Sequence, residues 1–122
     1  MAEKKKLVFM VTHGPENPEL ATIPFVMATT ALASDMKVVM GFVANGAFLA
    51  MQGMAERVHA PGFPPLKELM EIYAEAGGKM YLCGPCMGSR HIEGHELVEN
   101  AEVVGAATFV SEYASAANVM VY

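Results

Sequence analysis

The sequence predicts an α/β layered domain with a mainly parallel sheet, and three observations lead there. Short apolar runs recur at Leu7 to Val11, Lys37 to Val43 and Lys79 to Leu82, nearly uninterrupted by polar residues. Strands covered on both faces read this way, whereas a half-solvated strand alternates. Stretches of helical spacing separate these runs, so strands and helices alternate along the chain. Gly and Pro clusters mark the joints, including the one that holds the only two cysteines, Cys83-Gly84-Pro85-Cys86. With 122 residues this is a single domain, 1–122, large enough for an ordinary core.

Each element follows from its own residues. Leu7 to Val11 is the first strand, and Thr12 to Asn17 is a polar turn. Asn17-Pro18 supplies an N-cap followed by proline at the first helical position. Leu20, Ile23, Met27 and Ala31 then recur at helical spacing and are expected to face the sheet. Pro24 complicates this, and a regular helix capped instead by Thr22 is the alternative; Asp35 ends the segment either way. Lys37 to Val43 is the second strand, Asn45-Gly46 a turn or cap, and Ala47 to Met51 a short helix. His59 to Pro65 carries three prolines and a glycine, so it is an irregular loop, and His59 is given no role. Leu66, Leu69, Met70 and Tyr73 line one face of a helix closed by Gly77-Gly78. The third strand, Lys79 to Leu82, delivers Cys83, and a short helix follows. Gly94 to Asn100 reads as a further helical turn or two, and Val103-Val104 as a short fourth strand. Ala106, Phe109, Val110 and Tyr113 share one side of a last helix before a final strand at Asn118 to Tyr122.

Composition removes several classes of function. Net charge is −5, three of the eight basic residues are Lys4, Lys5 and Lys6, and no Lys or Arg follows Arg90. Nucleic acid binding needs a basic stripe against phosphates, and none is present. The apolar run after the N-terminal lysines is shorter than the ~7–15 residues of a secretory core. Val38 to Ala55 is uncharged but broken by Gly41, Asn45, Gly46, Gln52 and Gly53, so it reads as strand, turn and helix, not a membrane span. A non-exported, cytoplasmic chain is expected. Apolar content of 53% exceeds the usual ~45–50% and points to burial between subunits. The 11 methionines are scattered core and interface filler, not copper ligands.

In open α/β sheets, ligands sit beyond the carboxyl ends of the strands. Thr12-His13-Gly14, Ala44-Asn45-Gly46 and Cys83-Gly84-Pro85 all leave such ends and are expected to line one crevice. Cys83, at a strand-to-helix junction, faces unpaired helix N–H groups, which favour thiolate over thiol. The competing reading is a pair of small core residues, for free cysteine is often buried. Cys83, Cys86, His91 and His95 would make a tetrahedral zinc set, but the short gap from Cys86 crowds it, and no metal is expected. Gly14, Asn45, Gly46 and Gly84 are candidates for cradling an anion. No P-loop or dinucleotide fingerprint is present, FMN rests on fold analogy alone, and no cofactor is expected.

Cys-Gly-Pro-Cys is also the thioredoxin active-site tetrapeptide. That fold carries the motif early and packs a downstream cis-proline against it, whereas here no proline follows Pro85 and no Trp precedes Cys83. The tetrapeptide does not bring the fold. Over about Leu7 to Tyr122 the chain instead resembles the DsrE/DsrF-like family of small sulfur-relay proteins. The resemblance rests on Thr12-His13-Gly14-Pro15-Glu16, Phe42-Val43-Ala44-Asn45-Gly46, the strand ending in Cys83, Arg90-His91-Ile92 and Val103-Val104-Gly105-Ala106. It implies a flavodoxin-like three-layer α/β/α sandwich, here with a five-stranded sheet, assembled as a trimer or hexamer. It also implies a persulfide-bearing cysteine at the position of Cys83. Two departures stand out: His91 occupies a position where glycine is usual, and Cys86 is an added thiol.

The function expected is therefore that of a sulfur carrier or sulfurtransferase. Cys83 takes sulfane sulfur from a donor protein and passes it to an acceptor, Cys86 resolves or shields it, and His13 transfers a proton or pairs with the thiolate. A dithiol/disulfide oxidoreductase and a non-catalytic interaction subunit with structural cysteines are the alternatives.

Overall fold

The computed structural model describes residues 4–122. Its sheet has five strands, β1 (Lys6–Val11), β2 (Lys37–Phe42), β3 (Met80–Cys83), β4 (Ala101–Val104) and β5 (Asn118–Val121). All pairs are parallel, in the order β4-β3-β2-β1-β5. Helix α1 (Pro18–Ala33) joins β1 to β2, α2 (Leu66–Glu75) joins β2 to β3, α3 (Gly84–Ser89) joins β3 to β4, and α4 (Ala106–Ser115) joins β4 to β5.

This order dictates the layers. From β1 to β4 the chain steps across the sheet in one direction, so right-handed crossovers put α1, α2 and α3 on one face. The return to β5 runs the opposite way and puts α4 on the other. Successive strand side chains part accordingly. Phe9, Val11, Met40, Phe42, Met80 and Leu82 enter the larger core with Phe25, Leu69, Tyr73 and Met87, while Val8 and Met10 meet Phe109 of α4.

Asn17 caps α1 as expected: its Oδ1 accepts from Leu20 N at 3.1 Å, Pro18 follows, and Pro24 lies inside the helix. The face of α1 differs from expectation. Ala21, Thr22, Phe25, Ala28 and Ala31 are buried, whereas Met27 is exposed. The helix is apolar on nearly every side, so spacing does not choose a stripe, and the large Phe25 ring sets the rotation by packing on Phe42 and Tyr73. Helix α2 buries Leu66, Leu69 and Tyr73 as its spacing predicts. It ends in a Schellman turn in which Gly78 N donates to Tyr73 O and Gly77 N to Ala74 O.

Two further elements take their final form from tertiary contacts. Gly94 to Asn100 forms only a single 3₁₀ turn, Gly94–Glu96, because Leu97 bridges Met51 and Val98 N donates to Ala50 O, which pulls the segment extended along the core. The apolar side of α4 is mostly uncovered: Phe109 is buried, but Val110 is 61% and Tyr113 37% exposed. A single helix covers this face of five strands, and its outward side keeps Val110 exposed while Tyr113 stacks on Phe109.

Candidate functional site

Strands β3 and β4 are neighbours whose outgoing connections leave for opposite faces, α3 to one side and α4 to the other. A crevice opens at such a divergence, beyond the carboxyl ends of the strands. Cys83 is the last residue of β3, paired in register with Val104 at the end of β4. It stands at that divergence.

Cys83 is also the N-cap of α3, and its Sγ accepts a hydrogen bond from Cys86 N at 3.3 Å. The cap works because Cys83 keeps an extended backbone (φ −69°, ψ 115°) while Pro85 starts the helix without needing an acceptor. The Cys83 side chain is half-buried on the α4 side, where it packs, as Val43, Tyr81 and Val104 also do, against the cluster of Val8, Met10 and Phe109. Cys86 belongs to the other side, packed against the larger core, and its Sγ accepts from Ala44 N at 3.3 Å. Both thiols are free.

The expectation of a thiolate-favouring environment is corrected. Burial pushes the Cys83 thiol above its ordinary pKa, and the adjoining Cys86 thiol adds to this. The Cys86 N–H and the Arg90 guanidinium pull the other way but do not outweigh it. The reason is local: a six-residue helix offers one N–H to the sulfur, while the side chain packs on the apolar cluster of Val8, Met10 and Phe109.

The loop after β2 packs on the loop after β1 and also meets the cysteine turn, as its place between them in the sheet requires. A Cβ on Gly14 would lie 2.2 Å from Asn45 O, and one on Gly46 2.1 Å from Val11 O, so both glycines let backbone pack on backbone. Ala44 adopts a left-handed conformation (φ 50°), from which its N–H reaches Cys86. Asn45 Oδ1 accepts from Arg90 Nε at 3.0 Å. Gly84 has room: a Cβ there would sit 3.5 Å from Val103 Cγ1, an ordinary contact.

His13 is engaged elsewhere. Its Nδ1 lies 3.0 Å from Glu16 Oε2, and Gly14 N donates to Glu16 Oε1 at 2.8 Å. Burial works against the Glu16 carboxylate, yet the Gly14 N–H and His13 outweigh it and hold its pKa below the ordinary value. With β2 between them, β1 and β3 are about 10 Å apart, so His13 stands one strand beyond the thiols. Among the described residues, no three His, Cys, Asp or Glu side chains gather as a metal site.

Sequence reasoning missed Arg90 as a site residue. Its Nη1 donates to Cys86 O at 3.3 Å and to Ser89 Oγ at 3.1 Å, and its Cζ lies 5.9 Å from the Phe48 ring centroid. The available signal was its position four residues after Cys86, which returns a helical side chain over that residue.

A family model described as the DsrE/DsrF-like family matches residues 5–122. The uncharacterized protein MJ0760 of Methanocaldococcus jannaschii is 36% identical over 93% of this chain, which spans only 41% of that protein's length. The uncharacterized protein MK0008 of Methanopyrus kandleri is 24% identical, with 95% of this chain and 93% of that protein covered. Among solved structures, the ychN protein from E. coli superposes with a TM-score of 0.79 at 17% identity, covering 97% of this chain and 99% of its own. Protein MTH1491 from Methanobacterium thermoautotrophicum, itself of unknown function, gives 0.67 at 13% identity, covering 96% and 99%. These two likenesses establish the shared fold. No helix among the described residues is long and apolar enough to cross a membrane.

Proposed function

This chain belongs to the DsrE/DsrF-like family, and from that premise we propose that it is a sulfur carrier whose loaded form is a persulfide on Cys83. The observation that supports this most directly is the placement of Cys83 Sγ, half-exposed where β3 and β4 diverge and held by the Cys86 N–H. In the loading step Cys83–S⁻ attacks the outer sulfur of a donor R–S–S⁻. A Cys83 S–S bond forms, the donor S–S bond breaks, and R–S⁻ leaves. An acceptor thiolate then attacks the outer sulfur of Cys83–S–S⁻ and regenerates Cys83–S⁻.

Burial raises the Cys83 pKa and so lowers its thiolate share, and the greater nucleophilicity of the thiolate that does form offsets only part of that loss. Cys86 supplies an alternative fate. Its thiolate attacks the inner sulfur, forms the Cys83–Cys86 disulfide and releases HS⁻. That same bond underlies the second reading, a dithiol/disulfide oxidoreductase, favoured by the adjacency of the two free thiols. His13, Gly14, Asn45, Gly46 and Gly84 are proposed as supports of the loop rim. Free thiols suit a reducing cytoplasm. The uncovered side of α4 suits a homo-oligomer, and sedimentation showing only monomer at micromolar concentration counts against that assembly.

Mass spectrometry after incubation with a sulfane donor tests the main reading. A gain of about 32 Da mapped to Cys83, and lost in Cys83→Ser, is expected. A wild-type protein that stays unmodified removes the proposal.

A further inference from the structure

We infer that Arg90 is the anion-binding residue of the cysteine site and that it selects an inorganic polysulfide as donor. The donor class rests on the sulfur-transfer reading; the charge selectivity does not. Four contacts fix the guanidinium: Asn45 Oδ1 at 3.0 Å, Cys86 O at 3.3 Å, Ser89 Oγ at 3.1 Å and the Phe48 ring face at 5.9 Å. Its backbone is held as well, since Arg90 opens the Schellman turn in which Ile92 N donates to Met87 O and His91 N to Gly88 O.

None of those partners is an anion. Among the described residues no carboxylate pairs with Arg90, although the chain has 13 acidic residues against 8 basic, and Lys4, Lys6, Lys67 and Lys79 each have one. Nε and Nη1 are used; Nη2 has no hydrogen-bond partner among the described residues. The other cations near the sheet, Lys5, Lys6, Lys37 and Lys79, lie at the amino ends of β1, β2 and β3, a strand length from the thiols. A half-buried guanidinium, held still and left without a counter-ion one helical turn from Cys86, is a built anion site. Its Nη1 sits on the Cys86 carbonyl, and its charge acts on the Cys83 thiolate.

A polysulfide meets that description. Cys83–S⁻ and S₄²⁻ yield Cys83–S–S⁻ and S₃²⁻: one S–S bond forms, one breaks, and the electron pair leaves on the trisulfide. A thiolate and a dianion repel each other, and Arg90 offsets that repulsion before and after transfer.

The test compares alkylation of Cys83 by iodoacetate, an anion, and by neutral iodoacetamide, with the modified cysteine identified by peptide mass. The ratio of the two rates cancels any change in thiolate fraction or general access. Arg90→Gln is expected to lower the iodoacetate-to-iodoacetamide ratio about fivefold, the effect of one unit charge near contact in water. Arg90→Lys keeps most of the ratio, and added salt brings wild type toward the Gln variant. Loading from inorganic tetrasulfide is expected to slow in Arg90→Gln by at least the same factor. An unchanged ratio, or equal slowing of both reagents, overturns the inference. A lowered ratio with unchanged tetrasulfide loading overturns the donor class alone. Wild-type protein that gains no sulfur from tetrasulfide, yet shows the Arg90-dependent ratio, retains the anion site and loses the sulfur-transfer reading and its donor.

Discussion

The Ala44 N–H donates to Cys86 Sγ at 3.3 Å, across 42 residues of chain. The loop after β2 thereby anchors the second thiol on the side of the sheet opposite the α4 cluster, where Cys83 packs. Serine at 86 retains an acceptor for this N–H but cannot attack a persulfide. Cys86→Ser should therefore load Cys83 at a near wild-type rate, release no sulfide, and hold the added sulfur several times longer. Sulfide assay together with intact-mass decay checks this. Equal lifetimes in the two proteins would show that Cys86 has no part in resolution.

The pH dependence follows from the raised Cys83 pKa. Alkylation by iodoacetamide should titrate with a midpoint above the ordinary thiol value of about 8.5. Arg90→Gln moves it higher still, since the guanidinium favours the thiolate. The stability sign follows: a group whose folded pKa is raised stabilises below its unfolded pKa, and this is lost as pH rises through the folded pKa. Buried Tyr73, pushed well above the ordinary tyrosine range by burial, acts in the same direction. Urea unfolding between neutrality and pH 11 should show declining stability on the alkaline side, and a rise there contradicts the assignment.

Gly46→Ala places a methyl 2.1 Å from Val11 O, and backbone does not yield as a side-chain tip does. A cost of roughly 1–3 kcal/mol is expected, typical of overpacking. The displaced loop also carries Asn45 away from Arg90, so the charge selectivity of Cys83 should fall. Denaturant midpoint and the alkylation ratio measure the two effects. Gly84→Ala, whose Cβ would make only an ordinary contact with Val103, is the matched control.

His91 occupies the left-handed position of the turn that ends α3, with φ 56°. Its side chain is exposed and lies outside the cysteine network. His91→Gly should raise stability by about 1 kcal/mol through relief of the left-handed strain. Thermal unfolding decides it. A lower Tm would mean that the imidazole has a partner in the assembled protein.

Much of this fold was legible because local residues determine it. The strand runs, the Asn17-Pro18 start and the Gly77-Gly78 stop each depend on a few neighbours. The buried side of α1 was not legible, since a helix apolar all round takes its rotation from Phe42 and Tyr73. That the loop after β2 touches both of its neighbours followed from the rule for strand ends, whereas the contacts it makes depend on distant pairs. Arg90 and Asn45 are 45 positions apart, and neither residue announces the other. The state of Cys83 was misread because a strand-to-helix junction predicts an N–H donor but not the apolar wall around the sulfur.

The pairing of β5 with β1 has a consequence for how the molecule is assembled during translation. Thr12 gives both its N–H and its hydroxyl to Tyr122 O, 110 residues later, and Leu7 to Met10 run in register with Asn118 to Val121. Until the 118–122 segment leaves the ribosome, β1 has one flank bare, a ready template for pairing with another nascent chain. The cysteine rim, by contrast, is complete with residue 90, so an intermediate can already carry its thiols and its cation while that flank is open. Chaperone engagement should therefore fall only when the 118–122 segment emerges, which ribosome-bound chains stalled before and after it would reveal.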